Sequence, residues 1–177
     1  MYKVAPLFYF ILVCMNFAPS VLLGQNPTLI SSTEITFSFV SKDVQGSIAD
    51  FTSHTTINFD DITHASFKGS VAVSSLKTGN FLRDWSLKGK KYFDAENHPK
   101  ITFESRSVSG TRETFTVKGI LTIKAIAKPI TINFQRKAKE LLGTTTLFSS
   151  DFDIPIKKER GDNKVIVKFR FTLEEAK

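Results

Sequence analysis

The sequence predicts an all-β protein: eight or nine antiparallel strands, short connections and one helical insert. Three observations carry that expectation. Apolar residues alternate with polar ones along most of the chain, the period-two signature of strands with one buried face. Turn-forming pairs separate these runs at short intervals. A single stretch between Thr78 and Ser105 breaks the alternation with helical spacing.

In chain order the strand runs are regular. Ile35, Phe37 and Phe39 alternate with Thr36 and Ser38, and Ile57 and Phe59 with Thr56 and Asn58. Val71 and Val73 flank Ala72. The helical insert follows, with Leu76, Phe81, Leu82, Trp85 and Leu87 on one side and Lys88, Lys90 and Lys91 polar. Ile101 and Phe103 then alternate with Thr102 and Glu104, and Phe115 to Ile123 with Thr116, Lys118, Thr122 and Lys124. Ile130, Ile132 and Phe134 follow, then Phe148, Phe152, Ile154 and Ile156, and lastly Val165 to Leu173. Turns are expected at Ser41–Asp43, Asp60–Asp61, Ser109–Gly110, Ala127–Pro129, Leu142–Gly143 and Arg160–Asn163. Strands of this kind close as a barrel or stack as a sandwich, and the alternation alone fits both.

The first two dozen residues stand apart. Lys3 precedes an apolar run from Val4 to Val13, and Ala18 to Gly24 supplies small residues. Residues 1–24 are expected to be a cleaved export signal and 25–177 one domain. Asn16 and Pro19 interrupt the run below the ~20 apolar residues a spanning helix needs. The lone cysteine, Cys14, lies in this segment, so the remainder has no disulfide, cysteine nucleophile or thiolate metal site. A domain of that length can be held by its core.

The chain carries a net charge of +7, spread as single basic residues and short pairs such as Lys90-Lys91 and Lys157-Lys158. Nucleic-acid binding calls for a concentrated basic face with aromatics interleaved, so no nucleic-acid partner is expected. A mild attraction of the surface to anionic lipid headgroups is in keeping with the charge. His54, His64 and His98 lack the close spacing of metal ligands, so no metal site is expected. No GxSxG, P-loop or Rossmann fingerprint occurs, and nothing places a nucleophile beside Asp94 and Glu96. Non-enzymatic function is the expectation; a small-molecule hydrolase using Asp84 or Asp94 is the remote alternative.

Two blocks carry a family resemblance. TGNFLRDWSLKGKKYFDAENHPKITFES, Thr78 to Ser105, contains TG-x-x-x-RD-x-x-L followed by FD-x-x-x-x-P-x-I-x-F-x-S. Lys118-Gly119-Ile120-Leu121-Thr122-Ile123 with Lys128-Pro129 supplies a G-x-LT-I hairpin ending in KP. Together, in this order, they resemble the YceI-like family of secreted lipid- and polyisoprenoid-binding barrels, from about Ile35 to Leu173. The resemblance implies an extended, antiparallel, eight-stranded, lipocalin-like barrel with a short helix near one mouth. It also implies an amphipathic lipid ligand, an isoprenoid such as a quinone or polyprenyl compound, in the cell envelope, with no further cofactor. Ser86 stands where many members have histidine, and Ala125 and Ala127 where glycine and threonine are common.

Fourteen of the 17 phenylalanines lie beyond the leader, most in the apolar phase of a strand. Each brings large apolar area without a polar atom to satisfy. Most must be core; Phe37, Phe59, Phe103 and Phe115 are the candidates for lining a lipid tunnel. Phe81, Leu82 and Trp85 are expected to cover the mouth. Arg83 and Asp84 either anchor the insert through charge-assisted bonds or, for the Arg83 guanidinium, face a lipid head. A solid barrel serving as an envelope interaction module remains the alternative to a lipid carrier.

Overall fold

The structure, a computed structural model, describes residues 28–175; the expected leader and Cys14 lie outside them. One antiparallel sheet holds nine strands: β1 (Thr28–Phe39), β2 (Val44–Ile48), β3 (Thr52–Ser53), β4 (Lys68–Ala72), β5 (Lys100–Gly110), β6 (Thr114–Ile123), β7 (Ile126–Lys137), β8 (Glu140–Phe148) and β9 (Lys164–Glu175). Helix α1 (Phe81–Lys88) joins β4 to β5. The spatial order is β2-β1-β9-β8-β7-β6-β5-β4-β3.

The two edge strands are neighbours in sequence, and that closes the curl. Only Ala49–Phe51 separates β2, paired to β1, from β3, paired to β4. Across the seam Ser47 and Lys77 exchange backbone bonds of 2.9 Å, and the Ser75 hydroxyl donates to Ala49 O at 3.0 Å. At the other end Thr28 N donates to Ile57 O at 3.1 Å. These bridges cover part of the two edges, which would otherwise invite pairing with other chains. The eight strands expected become nine because this seam run is interrupted at Asp50, whose φ of 54° turns the backbone out of extended geometry.

Other boundaries shift for local reasons. Ile57 and Phe59 belong to no named strand; Thr56 makes only an isolated bridge to Ser66. In the run through Phe152 and Ile154, Ser149–Phe152 form a 3-10 turn after β8, ended by left-handed Asp153, and Ile154 follows it outside any strand. Leu142 and Gly143 lie inside β8, and the turn they were expected to form falls instead at Ala138-Lys139. Pro129 is likewise inside β7, in a stretch paired only to β6, since the β7–β8 ladder starts at Asn133 and Thr144. Proline is tolerated where a strand lacks its second neighbour.

The barrel has two unlike ends. At the end where β7 turns into β8, residues 54–67 fold across the opening and bury Ile57, Phe59, Ile62 and Phe67 against Phe115, Val117 and Leu141. Phe134 centres this core, 5.4 Å from both the Phe67 and Phe115 rings and 6.2 Å from Phe171. The opposite end, where α1 sits, is not filled.

Candidate functional site

Above the Phe134 cluster lies a cavity of about 560 Å³. Its walls are the inward phase of the long strands, including Phe37, Phe103, Leu121, Ile132, Val167 and Phe169; Phe67, Phe134 and Phe171 form its floor. That size falls in the ~300–1,000 Å³ range of small-ligand sites. The space stays open because two rings lie along the wall. Phe37 is paired with Gly46, and a Cβ on Gly46 would overlap the Phe37 ring. A Cβ on Gly119 would come within 2.5 Å of Phe103 Cζ. Glycine at these strand positions gives the rings somewhere to go other than the lumen.

Polar atoms gather where the chamber opens. Lys42, Thr78, Arg83, Ser86, Tyr92 and Ser149 border it there. Thr78, only 9% exposed, ties the start of α1 to the barrel. Its backbone N–H donates to Asp84 Oδ1 at 2.8 Å and its hydroxyl donates to the same oxygen. The hydroxyl accepts from Arg83 Nε at 2.7 Å, and the Thr78 carbonyl accepts from Arg83 Nη2 at 3.0 Å. The Thr78 hydroxyl bond, aided by Lys88 and Arg83, holds the Asp84 carboxyl below the usual carboxylate range against the opposing effect of burial. Asn80 caps the helix, its side chain accepting from Arg83 N at 3.0 Å.

The expected site residues therefore separate. Phe37 and Phe103 line the cavity. Phe59 and Phe115 do not: they are 8% and 3% exposed in the filled end, where Arg136 stacks on the Phe59 ring at 3.9 Å. Arg83 borders the cavity while anchored to Thr78, so both roles weighed for it are compatible, and Asp84 is an anchor. Phe81, Leu82 and Trp85 do not plug the mouth; they are 80%, 73% and 73% exposed. The cause is the turn of the helix: Arg83 and Leu87 face the barrel, and at 3.6 residues per turn Phe81 and Trp85 point the other way.

Ser149 was not anticipated. Its Oγ is buried at the cavity wall with no hydrogen-bond partner among the described residues. Such atoms are uncommon and stand ready for a partner from elsewhere. The signal was the inward phase of β8, Leu141, Gly143, Thr145 and Leu147, which continues to 149. No three His, Cys, Asp or Glu side chains cluster as metal ligands among the described residues.

A curled nine-stranded antiparallel sheet, bridged across its seam, with one packed end and an apolar chamber at the other, has a lipocalin-like barrel architecture. The chain belongs to the YceI family: the YceI-like domain model matches residues 29–174. It is 30% identical over 88 residues to a UPF0312 protein of Photorhabdus laumondii, covering 50% of this chain and 46% of that one. A UPF0312 protein of Yersinia pestis is 35% identical over 89 residues, 49% of this chain and 45% of that one. The matched stretches thus span about half the length of these curated relatives. Among solved structures, Burkholderia cenocepacia BcnA is similar with a TM-score of 0.70 at 19% identity, covering 80% of this chain and 96% of that one. A polyisoprenoid binding domain from Saccharophagus degradans, implicated in plant cell wall breakdown, is similar with a TM-score of 0.58 at 14% identity, covering 86% and 99%. These likenesses define the fold.

Proposed function

We propose that this protein is a non-enzymatic carrier that sequesters or transports an amphipathic lipid, an isoprenoid such as a quinone or polyprenyl compound, in the cell envelope after export. The observation that carries the reading is the cavity of about 560 Å³, lined mostly by apolar side chains, with Lys42, Thr78, Arg83 and Ser86 on its α1 side and a few further polar residues such as Thr55, Thr102 and Thr145 along its walls. Such a division matches a molecule with a long apolar tail and a small polar head. Each methylene moved from water into the chamber contributes roughly 0.8 kcal/mol, so a chain of several isoprene units binds tightly without any dedicated motif. The head lies at the mouth, within reach of Arg83 and Ser149. The polyisoprenoid binding domain among the structural neighbours is consistent with that ligand class.

Native mass spectrometry of protein isolated from its producing cells without detergent tests the reading. The expected result is a one-to-one complex whose released ligand is an isoprenoid lipid. Protein with no bound lipid, which also fails to take up any long-chain isoprenoid offered to it, would reject it.

A further inference from the structure

The outward face of α1 is unlike the rest of the described surface. Phe81, Leu82 and Trp85 are the three most exposed large apolar side chains there. Contiguous exposed apolar side chains ringed by polar ones mark contact surfaces. At 100° per residue, Phe81, Trp85 and Lys88 fall within an arc of about 60°, with Leu82 about 60° further round. Lys90 and Lys91 follow directly, both exposed. The acidic neighbours do little to offset these three lysines. Asp84 is turned to Thr78, Asp94 accepts the Asn97 amide on both oxygens at 3.0 and 2.9 Å, and Glu96 alone has no such partner among the described residues.

We propose that this face docks on the surface of an anionic phospholipid bilayer and sets the cavity mouth against it. Three features choose a bilayer over a protein groove. An indole and a phenyl ring beside leucine suit the headgroup boundary, where an amphipathic ring has both phases at hand. The exposed charges that follow the face, Lys90 and Lys91, are complementary to anionic headgroups, and of the nearby acids Asp84 and Asp94 are held by Thr78 and Asn97. Finally, the opposite face of the same helix, through Arg83, Ser86 and Leu87, borders the cavity, so docking brings the opening to the lipid. Docking stands on the exposed face alone; the carrier reading only gives it a use.

Trp85 is the only tryptophan in the chain, so its fluorescence reports on this face. The protein is mixed with vesicles of phosphatidylglycerol and phosphatidylethanolamine carrying brominated acyl chains and no isoprenoid. Emission should shift to the blue and be quenched, and vesicles of phosphatidylcholine alone should give a much smaller effect. K88Q/K90Q/K91Q, which alters exposed or rim side chains, should weaken partitioning on the order of a hundredfold, at about fivefold per lysine. Phe81→Ser with Leu82→Ser should abolish the quenching while leaving the melting temperature unchanged. No shift on the anionic vesicles would overturn the proposal. So would quenching that persists after the vesicles are spun away, because lipid would then have entered the protein rather than the protein the membrane. Isoprenoid retention, measured without vesicles, reports separately on the cavity, so either idea can fail alone.

Discussion

The two ends of this barrel use the same residue type to opposite effect. At the end crossed by residues 54–67, Phe59, Phe67, Phe115 and Phe134 interlock, with ring centres 5.4 to 6.5 Å apart. At the α1 end, Phe37 and Phe103 lie back on glycine-bearing wall and leave a chamber. Phenylalanine as such does not make a core or a cavity. What decides is whether a crossing element covers the rings with bulky partners, as residues 57–67 do, because a bare glycine lies under a ring at both ends: Gly143 at Phe134 as well as Gly46 at Phe37 and Gly119 at Phe103.

The sharpest way to break this contrast is paired truncation. Phe115→Ala should cost about 3–5 kcal/mol by denaturant unfolding, because it opens a void in a packed region. Phe37→Ala should cost roughly 1–2 kcal/mol, the loss from a half-buried ring beside space that is already empty. Their ranking should invert for isoprenoid affinity per folded molecule, Phe37→Ala changing it and Phe115→Ala not. Equal stability losses would erase the distinction between the ends.

The anchoring of α1 gives the next effect. Thr78→Val keeps the side chain's shape but strips Arg83 Nε and Asp84 of a shared partner, and should cost about 1–2 kcal/mol in unfolding experiments. Acid sharpens the assignment. The Asp84 carboxyl is held below its ordinary value by the Thr78 bond, so it contributes stability in full above the unfolded value of about 3.9. That contribution is lost as pH falls through the lower folded value. Asp84→Asn should therefore be less stable than wild type at neutral pH and lose less on acidification. Thermal melts from about pH 6 to pH 3 measure the difference. Some acid loss must remain in the variant. The Thr63 hydroxyl and His64 lower the Asp61 carboxyl, and Arg160, bonded at 2.7 Å, lowers that of Asp151.

The smallest effect sits in the β6–β7 hairpin, where Lys124 and Ala125 occupy φ of 50° and 61°. A two-residue turn of this hand favours Asn-Gly. Ala125→Gly should stabilise by about 0.5 kcal/mol, the relief of left-handed strain outweighing the added freedom of the unfolded chain. A fall in melting temperature would contradict that reading.

The sequence announced the strand-rich architecture and the place of the helix between the runs ending at Val73 and starting at Ile101, because alternation over long strands is a local signal. It did not separate Phe37 from Phe115. Both occupy the inward phase, and which end a side chain reaches depends on pairings made far along the chain. The seam strands β2 and β3 are too short, and Gly46 too bare, to show a pattern. Gly143 reads as a turn by composition yet sits in β8, where the Phe134 ring occupies the place of its missing side chain. On α1 the helical segment was legible, but its faces were not: Leu87, expected on the side of Phe81, Leu82 and Trp85, lines the cavity while the stripe of those three is exposed. The bonds of Arg83 and Asp84 to Thr78 rotate that stripe outward.

The central claim is that the unfilled end receives an apolar chain, and a lumen-filling substitution tests it most directly. Val167 lines the chamber on β9. Lipid-stripped wild-type protein and Val167→Trp are each titrated with a long-chain quinone, and the complex is counted by native mass spectrometry. The expected result is saturable one-to-one binding by wild type and its loss in a Val167→Trp protein whose melting curve remains cooperative. Equal binding by both proteins would place the ligand elsewhere and contradict the account.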